Sequence, residues 1–142
     1  MNVYLSGPMS GIRDNNRTGF IAANIALENS GVCAGGKIYN PAIEVPGYAT
    51  REMAMAYDLK MLTTYETVEQ TFVDDKMRIY KSTMAMKPLY DCVCLLNGWM
   101  ESEGSKIEVS VARYLGIKVM TIDQLLSGFQ FGPIDRFVDE QD

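Results

Sequence analysis

The strongest constraint on the fold is the run Tyr90-Asp91-Cys92-Val93-Cys94-Leu95-Leu96, almost continuously apolar and closed by Asn97-Gly98. A strand with one wet face alternates apolar and polar residues, so a run without alternation belongs to a strand covered on both faces, as in a parallel sheet. The next segment fits. Glu103 to Tyr114 has helical spacing, with Ile107, Val111 and Leu115 expected as its inward stripe, and Gly116 stops it before a strand at Ile117–Met120.

The rest of the chain repeats this alternation. Val3-Tyr4-Leu5-Ser6 reads as a strand entering the loop Gly7-Pro8-Met9-Ser10-Gly11, whose glycines suit a tight bend or a close approach to a ligand. A helix is expected from about Asp14 to Asn29, with Asp14 or Asn15 as N-cap and Gly31 as its stop. Lys37-Ile38-Tyr39-Asn40 reads as a second strand ended by Pro41, residues 42–50 as a loop, and Arg51 to Thr64 as a Met- and Leu-rich helix. Residues 65–73 carry no decisive pattern, and a further helix is expected over Asp74–Lys87. Thr121 to Leu126 reads as a last short helix, and the acidic stretch Asp135–Asp142 as a mobile tail. Strands alternating with helices predict an α/β fold, a parallel sheet with right-handed crossovers and helices on both faces. One domain over about residues 1–130 is expected, with a helical insertion over about 65–87 and an acidic tail over 131–142.

Composition narrows the chemistry. The chain has no histidine, which removes Ser-His-Asp triads, Cys-His nucleophiles and the usual zinc sites. Acid–base work is left to carboxylates, Tyr, Lys or Cys. With 13 basic against 18 acidic residues and no dense basic tract, a nucleic acid polymer is not an expected partner, although a small phosphorylated ligand is. The odd set Cys33, Cys92 and Cys94, the lack of a signal-like start and the lack of an apolar run of about 18 to 20 residues predict a cytoplasmic, non-membrane protein with reduced thiols.

Ligands of parallel sheets bind beyond the carboxyl ends of the strands. Two loops fall there: Gly7–Gly11, and Asn97–Ser105 with the helix that follows. Ser102, Gly104 and Ser105 are the residue types suited to an anion at a helix start, and helical spacing puts Ser105 and Glu108 on one face. Glu108 therefore reads either as a ligand-facing carboxylate or as a solvated residue of an amphipathic helix. Trp99 reads as a base-stacking platform or a cap on the sheet, Arg13 and Arg17 as phosphate ligands or surface, and Cys92 and Cys94 as small core residues sharing one strand face. Ten methionines at helical spacing read as core or oligomer interface.

Four segments in order, Tyr4-Leu5-Ser6-Gly7-Pro8-Met9-Ser10-Gly11, Asn40-Pro41-Ala42, Asp91 to Trp99, and Ser102-x-Gly104-x-x-x-Glu108, resemble the nucleoside 2-deoxyribosyltransferase superfamily, and within it a small, often phage-borne DUF4406-like branch. The resemblance implies a flavodoxin-like or Rossmann-like fold in which Glu108 attacks the anomeric carbon of a 2-deoxyribosyl group, kept ionised by its helix. Tyr4, the Gly7–Gly11 loop, Asn97, Gly98, Trp99, Ser102, Gly104 and Ser105 are implied to bind substrate. Transferases acting on free nucleosides have Asp at the position of Ser102, whereas the similar 2′-deoxynucleoside 5′-monophosphate N-hydrolases have Ser, so a monophosphate is implied. No metal or organic cofactor is implied. A homodimer or higher homo-oligomer is, with the host cytoplasm as location if the chain is phage-encoded.

One motif departs from the pattern. Relatives carry a base-positioning or base-protonating Asp eight residues before the central-strand Asp, and that position here is Thr83. Asp58, in Tyr57-Asp58-Leu59, has the right context about 25 residues too early, unless the stretch after it is inserted; Asp74 and Asp75 are further alternatives. Two other functions stay open: a non-catalytic nucleotide-binding sensor or sponge, and a ribonucleotide phosphoribohydrolase.

Overall fold

A computed structural model describes residues 1–131. Among these residues six strands and five α-helices follow one another: β1 (Val3–Ser6), α1 (Arg17–Ser30), β2 (Ile38–Tyr39), α2 (Pro41–Glu44), α3 (Arg51–Leu62), β3 (Tyr65–Val73), β4 (Ile79–Pro88), β5 (Cys92–Leu95), α4 (Glu103–Tyr114), β6 (Lys118–Thr121) and α5 (Ile122–Phe131). The tail expected to be mobile lies outside the described residues.

Strands β2-β1-β5-β6 form a parallel sheet in that order. Numbered within the sheet alone the order is 2-1-3-4, that of flavodoxin-like doubly wound folds. Period-two geometry sends Val3, Leu5, Cys92 and Cys94 to one face, where Phe20, Ala23 and Leu27 of α1 and Leu125 of α5 cover them. Tyr4, Tyr39, Val93, Leu95 and Val119 point to the other face, against Leu62 of α3 and Val109 and Ala112 of α4. Both faces are buried, which is why β5 shows no alternation.

Local chemistry sets most boundaries. Thr121 Oγ1 accepts from Gln124 N–H (3.1 Å) while Gln124 Oε1 accepts from Thr121 N–H (3.0 Å), a capping box that starts α5; this helix continues beyond the expected Leu126. Asn40 Oδ1 accepts from Ala42 N–H, and Pro41 at the first helical position makes one turn of helix where a loop was expected. Helix α1 begins three residues later than expected and without a side-chain cap, because Asp14, Asn15 and Asn16 form a left-handed turn (φ 53°, 51° and 59°). Asn and Asp tolerate this region better than other non-glycine residues, and Asn16 Nδ2 donates instead to the Pro8 carbonyl (2.9 Å), tying the helix to the first loop.

Two expectations fail. The helix expected over Asp74–Lys87 is instead the turn and second strand of an antiparallel hairpin, β3–β4, which also absorbs the unplaced residues 65–73. Met, Ala and Lys favour helix intrinsically, but Asp74 accepts N–H groups from Lys76 and Arg78, Met77 sits at φ 62°, and the chain reverses so that nine rungs pair from Tyr65↔Pro88 to Val73↔Ile79. The innermost residues of α4 are Ser105, Glu108, Val109 and Ala112; Val111 and Leu115 pack half-buried against the same core as expected, whereas Ile107 is 45% exposed. Ile107 misleads because a carboxylate and a hydroxyl occupy the centre of the inner face.

Candidate functional site

The sheet reverses direction of winding between β1 and β5, since α1 leaves β1 on one face and α4 leaves β5 on the other. Ligands in doubly wound sheets bind at such a point. Here a cleft of about 670 Å³ opens, lined by Gly7–Ser10 after β1, the Pro41–Arg51 region, Asp58 of α3 and Glu101–Ser105 with Glu108 at the start of α4. Its size suits a small organic ligand.

At its floor Glu108 is 5% exposed. Tyr4 Oη donates to Glu108 Oε2, and Ser6 Oγ lies 2.9 Å from Glu108 Oε1 and 3.0 Å from Ser105 Oγ. Ser6 has one proton, so it donates to the carboxylate and accepts from Ser105. Tyr4 and Ser6 alternate with Leu5 along β1, which is why both hydroxyls face α4 while Val3 and Leu5 fill the opposite core. Burial pushes the Glu108 carboxyl up to about 7; the hydroxyls of Tyr4 and Ser6 pull against that rise, and the nearby charge of Asp58 adds to it. Glu108 is the sixth residue of α4, beyond the first turn where the helix dipole acts, so desolvation outweighs the dipole invoked to keep it ionised.

Asp58 is the second carboxylate. It is 7% exposed and lines the cleft, and Tyr39 Oη donates to its Oδ1 at 2.6 Å. Burial raises its pKa to about 6 against the lowering effect of that bond. Tyr4 joins the two acids: its hydroxyl also lies 3.2 Å from the Asp58 carbonyl, and its ring stacks on Tyr39 with centroids 4.8 Å apart. Burial and the adjacent carboxylates push both phenols far above their usual range, so they remain donors. Among the described residues no buried side-chain polar atom lacks a partner.

The helix start offers a different chemistry. Ser102 Oγ caps α4 by accepting from Ser105 N–H (3.1 Å), while the N–H groups of Glu103 and Gly104 precede any intrahelical acceptor. Arg17 and Arg51, each the first residue of its helix, also line the cleft.

Of the residues singled out from sequence, Gly7, Pro8, Met9, Ser10, Asp58, Ser102, Gly104, Ser105 and Glu108 meet around the cleft, with Tyr4 beneath Glu108. Gly11, Asn97, Gly98 and Trp99 are not among its lining residues. Trp99 is packed in the core beside Val109, and Gly98, at φ 85°, serves the loop: a Cβ there would meet Pro8 Cγ at 3.2 Å. Gly7 has a similar duty, since a Cβ would fall 2.8 Å from Leu96 Cβ. Arg13 does not reach the cleft lining, and Thr83, Asp74 and Asp75 lie on the hairpin. Sequence reasoning missed Ser6 as a ligand of Glu108, Tyr39 as a ligand of Asp58, and Arg51. Ser6 and Tyr39 carried a signal, each being a polar-tipped residue within an apolar strand.

A family model described as Domain of unknown function (DUF4406) matches residues 1–71 and 69–121. The two matches meet inside β3, so the hairpin is where the chain departs from a continuous match. No curated protein and no solved structure matches the chain.

Proposed function

We propose, for a chain that belongs to the DUF4406 family, that it cleaves the N-glycosidic bond of 2′-deoxynucleoside 5′-monophosphates, releasing the base to water or exchanging it for another. The observation that carries this reading is the pairing, in one cleft, of Glu108 held by two hydroxyls with Asp58 held by a third. A retaining displacement at an anomeric carbon uses two carboxyls, one ionised as nucleophile and one protonated as proton donor, and the two acids of this cleft are the candidates for those roles.

Glu108, ionised, attacks C1′ of the sugar; the C1′–N bond breaks, and its electron pair leaves with the base, which takes the proton of the Asp58 carboxyl. The glycosyl ester on Glu108 is then opened by water or a second base, whose proton passes to Asp58. Tyr4 and Ser6 orient the nucleophile. The hydroxyl of Ser102, the first N–H groups of α4 and the guanidiniums of Arg17 and Arg51 supply the donors a 5′-phosphate needs. The missing eight-residue spacing finds a physical account in the hairpin, which separates Asp58 from β5 in sequence while α3 keeps Asp58 in the cleft. The three buried free thiols fit a reducing cytoplasm.

Incubation with each deoxy- and ribonucleoside monophosphate, followed by chromatography for free base, tests the reading. Base is expected from deoxynucleotides only, and Glu108→Gln should lower its release by at least about 10⁴-fold while nucleotide binding persists. Tight binding without base release from any nucleotide would replace the enzyme with a nucleotide sponge or sensor, and release from ribonucleotides alone with a phosphoribohydrolase.

A further inference from the structure

The two acids of the cleft are held unequally. Both oxygens of Glu108 have a partner, Oε2 the Tyr4 hydroxyl and Oε1 that of Ser6, whereas Asp58 has one, the Tyr39 hydroxyl 2.6 Å from Oδ1. Among the described residues nothing else bonds the Asp58 carboxyl, yet no buried side-chain polar atom there lacks a partner. Oδ2 is therefore not buried; it opens on the cleft that Asp58 lines.

We propose that Tyr39 is the positioning residue of Asp58, fixing Oδ1 so that Oδ2 is the oxygen that carries the proton and delivers it to the leaving base.

This rests on the cleavage proposed above and adds the oxygen that acts and the residue that selects it. Tyr39 does not line the cleft, so it acts through Asp58 and not on the substrate. Among the described residues its hydroxyl has no other partner. A proton on Oδ1 would take away that hydroxyl's acceptor and leave a buried donor unpaired, which is costly. A proton on Oδ2 leaves the bond intact. As the C1′–N electron pair departs with the base, the Oδ2 proton goes to the base, and the charge left on the carboxylate is met by the Tyr39 O–H in a charge-assisted bond. The water or second base that opens the glycosyl ester returns a proton to Oδ2.

Packing gives the phenol the rigidity this needs. Tyr39 is 3% exposed and is the register partner of Tyr4 across β1 and β2. Their rings stack, and Tyr90 meets both edge-on, 5.7 Å from Tyr4 and 6.3 Å from Tyr39. The phenols that hold the two acids are thus one stacked unit. A phenylalanine would fill the same apolar space, so the hydroxyl of Tyr39 serves Asp58 alone.

The ionisable groups around Asp58 are Tyr39 of β2, Tyr4 of β1 and Glu108 of α4, and Arg17 and Arg51 also line the cleft. Of these only Tyr39 bonds the carboxyl. Burial raises the Asp58 pKa to about 6 and the Tyr39 hydroxyl holds it down, so removing that hydroxyl raises it further.

NMR titration of the side-chain carboxyl carbons tests this, with the Asp58 signal identified by its loss in Asp58→Asn. Tyr39→Phe keeps the ring and should raise the Asp58 midpoint by about half a pH unit or more. Tyr57→Phe, altering a ring 6.4 Å from that of Tyr39 that does not bond Asp58, should leave the midpoint in place. In wild type the Cζ signal of Tyr39 should follow the Asp58 titration, a readout that needs no variant. In assays, Tyr39→Phe should leave KM within about twofold and lower base release at least about tenfold. Release of para-nitrophenol from its deoxyribosyl phosphate, a leaving group that needs no proton, should stay within about threefold of wild type. An Asp58 midpoint unmoved by Tyr39→Phe, or moved equally by Tyr57→Phe, would overturn the proposal. So would a Tyr39 Cζ signal indifferent to the Asp58 titration, or equal losses with both leaving groups. A wild type that releases no base would instead overturn the reaction, and the titrations would still decide whether Tyr39 holds Asp58.

Discussion

The floor of the cleft and the hairpin use the same residue types in opposite ways. In the cleft, Glu108 and Asp58 are buried and each is held by a phenol, so polar groups sit where apolar ones are expected. In the hairpin, Val68, Phe72, Tyr80 and Met84 stand in solvent while charges pair around them. Each region departs from the usual partition of side chains, and the departure in the cleft is what supports the proposed chemistry. Buried acids cost several kcal/mol unless partnered and persist where chemistry uses them; an exposed apolar face persists where something covers it.

The comparison can be broken first at the proposed proton donor. Asp58→Asn is expected to lower base release by about 10² to 10⁴-fold. Because Asp58 raises the pKa of Glu108, the two titrate as a pair with apparent values of about 6 and about 7. The singly protonated pair prevails between those values, and the tautomer with its proton on Asp58 is a minor but fixed fraction of it, so wild-type rates should peak there. Asp58→Asn should remove the alkaline fall and leave the acid limb, where Asp58 is already protonated and neutral, near its wild-type position. An unchanged profile would detach Asp58 from the chemistry.

A smaller effect separates the regions by stability. Folded Glu108 keeps its proton up to about 7, whereas the unfolded chain loses it near 4.5. Its contribution is thus present in full below pH 4.5 and is lost as pH rises through 7, on the order of 3 kcal/mol. Urea melts of wild type and Glu108→Gln should therefore diverge between pH 4.5 and 7.5, with the variant gaining. Glu69→Gln removes one member of an ion pair whose side chains are more than half exposed, and should stay within about 0.5 kcal/mol of wild type at both pH values. Parallel curves for Glu108→Gln and wild type would mean that Glu108 is solvated.

These two regions also differ in how far sequence reveals them. The parallel sheet was legible because burial on both faces leaves a direct mark in Cys92–Leu95, and the loops after β1 and β5 were legible because Gly7 and Ser102 stand at strand-to-helix junctions. The centre of the inner face of α4 was not, since Ile107 imitates an inward residue while the innermost positions include Glu108. Tyr39 and Asp58 could not be paired from sequence, because the contact joins β2 to α3 through space. The hairpin was misread as helix because Met84, Ala85 and Lys87 favour helix locally, while the pairing of Val68 with Met84 and Phe72 with Tyr80 is fixed across the turn.

The most direct measurement is to trap the intermediate. The protein is mixed with a deoxynucleoside monophosphate, quenched in acid within a turnover, digested and examined by mass spectrometry. A deoxyribosyl phosphate carried on the peptide containing Glu108, and absent from Glu108→Gln, is the predicted result. Base release at full rate with no such adduct, or with the adduct on another residue, would contradict the assignment of Glu108 as nucleophile.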